Sequence, residues 1–236
     1  TIVVTCKGHY INYLHKEIAS AQPLTQERLK ERHERIAQLQ ATYFGAAKPV
    51  VADPYLYVTP KLHKQNSDKT RPIVGSPRGG NRLSRLSSML SKILRSVIFA
   101  LREESEANFK KHGYKLLIVE DNLDEAAADL ERFRKHPVIS TNIGKRFRTT
   151  DFASMFPSSP PARVIENVSA QIYNAFAHTA AEQKTTVNNL AVDFNEENDE
   201  VEFVTGSSEG NKTRLGLGEV KELLKAVVET AYFVCF

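Results

Sequence analysis

Basic side chains are concentrated in one stretch of this 236-residue chain, from Lys61 to Arg95. Asp68 is the only acidic residue of that stretch, although the net charge of the whole chain is only +4. A local block of cations favours a polyanionic partner such as a nucleic acid or a nucleoside triphosphate. The alternative is a solvated basic face without such a partner. The cations are Lys61, Lys64, Lys69, Arg71, Arg78, Arg82, Arg85, Lys92 and Arg95.

Three short segments hold the residue types that phosphate chemistry would use. Each one is a weak signal alone, because a Pro-Lys pair or a single aspartate is common in any protein. Their order and spacing together are specific. In chain order they are YVTPKLHK at 57–64, RPIVGS at 71–76 and TTDFASMF at 149–156, the last of which contains Asp151 near the end of a predicted strand.

The set of segments resembles reverse transcriptases of the Penelope-like and telomerase-related branch. In that family a Pro-Lys-x-His-Lys segment and an Arg-Pro-Ile segment form the fingers hairpin, and a Leu-Ser-Lys helix follows. Here the helix would carry Leu90-Ser91-Lys92. The resemblance extends over nearly the whole chain except residues 178–216. It implies an RNA-directed DNA polymerase that uses an RNA template, a DNA primer and deoxynucleoside triphosphates.

The resemblance assigns nucleotide binding to Lys61, Lys64 and Arg71, whose charges would face the incoming triphosphate. Arginine can bind phosphate oxygens through a bidentate fork, which lysine cannot do. A surface ion pair is the alternative role for Arg71. Nucleic-acid binding would fall to the later cations, which are Arg78, Arg82, Arg85, Lys92 and Arg95.

The same resemblance makes Asp151 the first catalytic carboxylate and a ligand of Mg²⁺, with the backbone carbonyl of Phe152 as a weaker contact to the metal. Hard cations prefer carboxylate oxygens, and two-metal sites serve phosphoryl transfer. Phe156 would be the aromatic gate that rejects a 2′-hydroxyl group. The alternatives are a turn or helix cap for Asp151 and an ordinary core side chain for Phe156.

The chain departs from the family pattern in its catalytic carboxylates. The Tyr-x-Asp-Asp turn is missing, and no Asp-Asp pair occurs in the sequence. One carboxylate of three cannot build a two-metal site, so we expect a fragment that is inactive alone and is cut at both ends. Gly75-Ser76-Pro77 imitates part of the family's later glycine-rich segment, but its position before Asp151 assigns it to the fingers.

Periodic patterns predict helices at 11–22, 24–43, 82–106, 121–136, 162–177 and 219–230. Alternating residues predict strands at 55–58 and 71–74 around a basic loop, which together form a hairpin, and further strands at 116–119 and 147–152. The predicted fold is therefore α/β (α+β), helix-rich, with a short antiparallel hairpin and a small sheet. By resemblance it corresponds to the fingers and an incomplete palm of a right-hand polymerase.

Three regions are expected: an N-terminal helical extension at 1–50, fingers at 51–140 and a partial palm at 141–236. The palm would contain a polar, partly mobile insertion at about 178–216 with one strand near 201–204. No run of about 18 apolar residues occurs, which excludes a typical membrane helix. Two cysteines without metal-site spacing favour a reducing, intracellular setting, and the resemblance implies the nucleus of a eukaryotic host.

Three hypotheses remain at this point. The first is a piece of a reverse transcriptase. The second is a non-catalytic nucleic-acid-binding module derived from such an enzyme. The third is an unrelated basic α/β interaction protein, which a missing fingers hairpin would favour.

Overall fold

The structure is a computed structural model that describes residues 7–19, 23–45, 52–60, 70–78, 80–113, 160–195, 200–206 and 213–232, with positions 124, 127–128, 131 and 135. Two compact units divide the chain. Unit 1 comprises residues 1–92, 211–213 and 222–236, and unit 2 comprises residues 93–210 and 214–221. The three predicted regions have different boundaries and remain a prediction.

The protein is a helix-rich α+β fold with small antiparallel sheets, as predicted. Five long helices carry most of the described chain: α1 (Lys7–Ile18), α2 (Gln26–Phe44), α3 (Ser84–His112), α4 (Pro161–Glu182) and α5 (Leu217–Thr230). Helix α2 is capped by Thr25, whose hydroxyl accepts a hydrogen bond from the backbone N–H of Arg28. None of the helices within the described residues has the length and apolarity to cross a bilayer.

Helix α3 buries the apolar stripe that the sequence predicted. Leu86, Met89 and Ile93 are fully buried, and Leu83 and Val97 are nearly so. Recurrence at three and four residues places such side chains on one face of a helix, where their burial supplies most of its stability. The helix is longer than predicted, because it continues from residue 106 to His112.

The predicted hairpin is confirmed. Strand β1 (Tyr55–Pro60) pairs with β2 (Thr70–Gly75) in antiparallel fashion, and the register places Tyr55 opposite Gly75 and Pro60 opposite Thr70. Alternate side chains of β1, Leu56 and Val58, are buried together with Leu14 of α1. Because side chains alternate between the two faces of a strand, one face of the hairpin packs against a small core in unit 1.

The stretch predicted as an insertion with one strand contains more regular structure, and the prediction was wrong in that respect. Strands β3 (Leu190–Asn195), β4 (Glu200–Thr205) and β5 (Thr213–Gly216) form one sheet in the order β4-β3-β5. Helix α4 also continues to Glu182, beyond the predicted end at residue 177. Within the described residues, polar side chains of this stretch occupy the exposed side of β4, whereas Leu190, Val192 and Leu215 are buried.

Two of the predicted strands, at 116–119 and 147–152, lie outside the described residues. The described positions of the predicted helix at 121–136 are helical, and Lys135 forms an ion pair with Glu131 at 3.4 Å. The functional residues Lys61, Lys64, Asp151, Phe152 and Phe156 also lie outside the described residues, so their roles remain predictions.

Candidate nucleic-acid interface

The hairpin brings two of the three motif segments side by side. Thr59 of the first segment pairs with Arg71 of the second, and Val58 pairs with Pro72. The backbone of Arg71 therefore lies at the end of the ladder from which residues 61–69 continue, although its side chain is not described. The pairing of these segments was predicted from the strand, basic loop, strand pattern.

Two tyrosine rings of β1 lie beside Gly75, the last residue of β2. The ring centroids of Tyr55 and Tyr57 are 5.9 Å apart, and a methyl group added at Gly75 would lie only 2.8 Å from Cζ of Tyr55. Any side chain at Gly75 would have to displace these rings. Both rings are half-buried, so the glycine of the second segment has a packing role that motif comparison does not reveal.

A capping arrangement fixes the start of α3 beside the hairpin. The side-chain oxygen of Asn81 accepts a hydrogen bond from the N–H of Leu83 at 2.9 Å, and the Ser84 hydroxyl accepts one from the N–H of Asn81 at 2.7 Å. These reciprocal bonds satisfy N–H groups that a helix terminus leaves unpaired. The Asn81 amide also donates to the Ser76 hydroxyl at 2.6 Å, which ties the end of the second motif segment to α3.

Four polar side chains converge in unit 1, around one carboxylate oxygen. Oδ1 of Asp53 accepts hydrogen bonds from the Tyr232 hydroxyl at 2.6 Å and from Nε of Arg82 at 2.8 Å, and Nε2 of His33 lies 3.2 Å away. Nε2 of His33 is also 2.9 Å from the Tyr232 hydroxyl oxygen. This Asp53 cluster connects four segments of unit 1. His33 belongs to α2, Asp53 precedes β1, Arg82 precedes α3 and Tyr232 follows α5.

The cluster shifts the titration of three members. Burial by itself would raise the pKa of Asp53, but the hydrogen bonds from Tyr232 and Arg82 hold that pKa below its ordinary value. Burial and the Arg82 charge lower the pKa of His33. Burial and the Asp53 carboxylate raise the pKa of Tyr232 far above its ordinary value. At neutral pH the arrangement is therefore a carboxylate with a neutral imidazole and a neutral phenol.

As the pH falls, we expect protonation of His33 to destabilise the folded protein at a higher pH than protonation of Asp53 does. A group whose pKa is lower in the folded state stabilises that state fully above its unfolded pKa, and the contribution disappears as the pH falls. For His33 the decline begins below about pH 6.5, and for Asp53 below about pH 3.9. Urea unfolding of the protein at pH 7.5 and pH 5.5 should show lower stability at pH 5.5.

The variant His33→Gln should show a smaller difference in stability between the two pH values than the parent protein. The matched control is His15→Gln, because His15 is an exposed histidine of α1. An equal reduction of the difference by both substitutions would contradict the role of His33.

The predicted nucleic-acid-binding cations have different surroundings. Arg82 contacts Asp53, and the guanidinium carbon of Arg85 lies 4.2 Å from the ring centroid of Phe44, a cation–π distance. Arg78 and Arg95 are exposed, whereas Lys92 is half-buried. Arg82 and Arg85 thus have structural contacts in unit 1, and Arg78 and Arg95 offer the more accessible charges.

A cavity of about 520 Å³ lies next to the hairpin and the start of α3, within unit 1. Pro54 and Leu83 provide apolar lining, and Ser76, Ser84 and Ser87 provide hydroxyl groups. Tyr232 of the Asp53 cluster also lines it. Hydroxyl groups beside an apolar surface can hydrogen-bond sugar and phosphate oxygens while the wall contacts a base.

Sequence reasoning did not identify the Asp53 cluster. Asp53 and Tyr232 are separated by 179 positions, and His33 and Tyr232 by 199. No local spacing relates residues so distant in the chain, and the sequence offers no motif around them.

No protein-family model, curated protein or solved structure matches the chain. The resemblance to reverse transcriptases therefore consists of the three motif segments and their order.

Proposed function

We propose that the chain is the fingers and partial palm of a reverse transcriptase, an enzyme that extends a DNA primer on an RNA template with deoxynucleoside triphosphates. The observation that carries the proposal is the antiparallel pairing of the YVTPKLHK and RPIVGS segments in one hairpin. The two strands are joined by residues 61–69, which include Lys61 and Lys64, so the hairpin brings the first two motif segments together on either side of these basic residues.

The residue roles in the proposal follow the resemblance. Lys61, Lys64 and Arg71 would bind the triphosphate of the incoming nucleotide. Asp151 and the Phe152 carbonyl would hold Mg²⁺, which in phosphoryl transfer neutralises charge on the reacting phosphate oxygens. Phe156 would restrict the space beside the sugar C2′ and so favour deoxynucleotides.

A non-catalytic nucleic-acid-binding module derived from a reverse transcriptase is the second candidate. It is favoured by the lack of any Asp-Asp pair in these 236 residues. Both candidates require the basic residues to bind nucleic acid, and only the first requires Asp151 to support catalysis. The gene sequence beyond Phe236 separates them, because a glycine-rich segment followed by Tyr-x-Asp-Asp within roughly a hundred residues supports the enzyme.

The chain should bind single-stranded nucleic acid with an affinity that falls steeply with salt, because binding to phosphates releases counterions. Arg78 and Arg95 are the best residues to test, since their exposed side chains can be removed without disturbing the contacts of Arg82 and Arg85. The double variant Arg78→Ala/Arg95→Ala should bind more weakly, with a salt slope smaller by about one for each phosphate that is no longer neutralised. Fluorescence anisotropy with labelled single-stranded RNA and DNA measures both quantities.

A control variant removes the same formal charge from other exposed positions, Arg163 of α4 and Lys225 of α5. Arg163→Ala/Lys225→Ala should retain the affinity and salt slope of the parent chain, apart from a small general electrostatic effect. An equal weakening in the two double variants would mean that binding does not depend on Arg78 and Arg95 in particular and would contradict their assignment. Parent binding that does not change between 50 and 200 mM salt, concentrations that bracket physiological ionic strength, would also contradict it.

A further inference from the structure

Two helices of unit 2 place three potential metal ligands together. Glu103 of α3 and His178 and Glu182 of α4 each offer one ligand atom, and these atoms all lie within 4.8 Å of one another. Unlike a group of acids alone, this set contains an imidazole and so combines nitrogen with oxygen donors. The set has no local sequence signature, because Glu103 is distant from the other two residues in the chain.

The imidazole of His178 is the central group of this set. Its side chain is 14 % exposed, while Nε2 itself is buried and has no hydrogen-bond partner among the described residues. Nε2 lies 3.5 Å from Oε1 of Glu182, but the two atoms do not have hydrogen-bond geometry. A buried nitrogen without a partner is costly unless a ligand or proton uses it.

The geometry fits a small divalent transition-metal ion. Histidine nitrogen and carboxylate oxygen bind Zn²⁺ at about 2.0–2.2 Å, so two ligand atoms of a tetrahedral site are about 3.4 Å apart. The separation of 3.5 Å between Nε2 of His178 and Oε1 of Glu182 is close to that distance. Glu103 is exposed, so its side chain has the freedom to approach within the same distance.

The position in the helix also favours a cation. His178 and Glu182 lie in the last turns of α4, where the helix dipole presents negative charge. No basic residue occupies the last turn of α4, so the Glu182 carboxylate adds negative charge that a bound cation would neutralise. One imidazole and two carboxylates are ligands that Zn²⁺ uses in proteins, whereas Mg²⁺ prefers oxygen ligands alone.

We propose that Glu103, His178 and Glu182 bind a divalent transition-metal ion of the Zn²⁺ class and thereby connect α3 to the end of α4. These three residues differ from Asp151 and Phe152, to which the reverse transcriptase proposal assigns Mg²⁺. Because the ion binds the folded arrangement of two helices, it should stabilise the folded protein.

The test is isothermal titration of the chelator-treated full chain with Zn²⁺ and, separately, with Mg²⁺. We expect Zn²⁺ to bind and to raise the melting temperature, whereas Mg²⁺ should not bind at Glu103, His178 and Glu182, so that any Mg²⁺ binding is unaffected by His178→Gln. His178→Gln and Glu103→Gln should each weaken Zn²⁺ binding by about tenfold or more, since even the partners of metal ligands contribute about 10–100-fold. The pH dependence of binding should follow deprotonation of an imidazole.

Matched controls are Glu166→Gln, an exposed glutamate of α4, and His15→Gln, an exposed histidine of α1. Both should retain the Zn²⁺ affinity and melting-temperature shift of the parent. Circular dichroism of each variant establishes that it is folded, and the visible absorption of a Co²⁺ complex reports the coordination geometry independently of affinity.

Two results would overturn the proposal. One is Zn²⁺ binding that His178→Gln and Glu103→Gln leave unchanged, which would place the ion elsewhere. The other is a parent chain whose stability does not respond to Zn²⁺.

Discussion

Replacing Asp151 by asparagine in the complete enzyme should lower the rate of primer extension by about a thousandfold or more. The substitution keeps the size of the side chain and much of its hydrogen bonding, but it removes the negative charge that the proposal assigns to the metal. Removal of a metal ligand in phosphoryl transfer costs several kcal/mol of transition-state stabilisation. The measurement is single-turnover extension of a DNA primer on an RNA template.

Phe156→Ala provides the contrasting variant for that assay. It should retain much of the extension rate with deoxynucleotides and accept ribonucleotides more readily, because a smaller side chain leaves room for the 2′-hydroxyl group. Near-normal extension by Asp151→Asn would show that Asp151 is not the first catalytic carboxylate. The alignment of the third motif segment would then be wrong, whereas the hairpin and the metal site in unit 2 would be unaffected.

The second large effect concerns the core of unit 2. Phe176 of α4 is fully buried, and its ring packs edge-on against Phe203 of β4 with centroids 5.1 Å apart. Phe176→Ala should lower the free energy of unfolding by about 3–5 kcal/mol, because it removes apolar packing and leaves a cavity. Urea unfolding followed by circular dichroism measures this decrease.

Tyr173 supplies the control on the same helix, since its side chain is exposed and its ring lies 5.4 Å from Nζ of Lys221. Tyr173→Ala should cost no more than about 1 kcal/mol, the size of an exposed cation–π contact. If both substitutions had similarly small effects, β3, β4 and β5 would be a loosely attached insertion, as the sequence alone suggested.

The elements with strong local patterns were predictable. In α3 the apolar residues recur at helical spacing for several turns. In β1 and β2 alternating residues lie on either side of a basic segment, a pattern that predicts a hairpin. Each pattern reflects burial of one face, so it appears in the sequence without knowledge of distant partners. Thr25 could be recognised as a cap for the same reason, because its partner is only three residues away.

The sheet of unit 2 was only partly predictable because its pattern is interrupted. Strand β3 is buried over five consecutive residues, Leu190 to Phe194, and includes the acidic Asp193. Its residues therefore do not alternate between apolar and polar, and the sequence lacks the pattern by which a half-buried strand is recognised. Arg214 of β5 lies 3.9 Å from Asp193, so part of the compensation for that buried charge comes from another strand. Such compensation depends on strand pairing, which local sequence does not encode.

In the candidate site, too, the groups of residues that are close in the chain were predictable, whereas the groups that are distant in the chain were not. The motif segments that form the hairpin are close in the chain and were predicted to meet. The Asp53 cluster and the Glu103, His178 and Glu182 set each join residues from distant elements, and both were missed. Only the spacing of four between His178 and Glu182 is a local signal, because it places two side chains on one helix face.

The Asp53 cluster has a consequence for the order of events during protein synthesis. Tyr232 is translated 179 residues after Asp53, a delay of about 10 to 40 s at usual ribosomal rates. Unit 2 is largely contiguous at residues 93–210, so its residues leave the ribosome during this interval, before residues 222–236 complete unit 1. On a nascent chain, His33, Asp53 and Arg82 must therefore remain without the Tyr232 hydroxyl group while residues 93–210, the larger part of unit 2, are already synthesised.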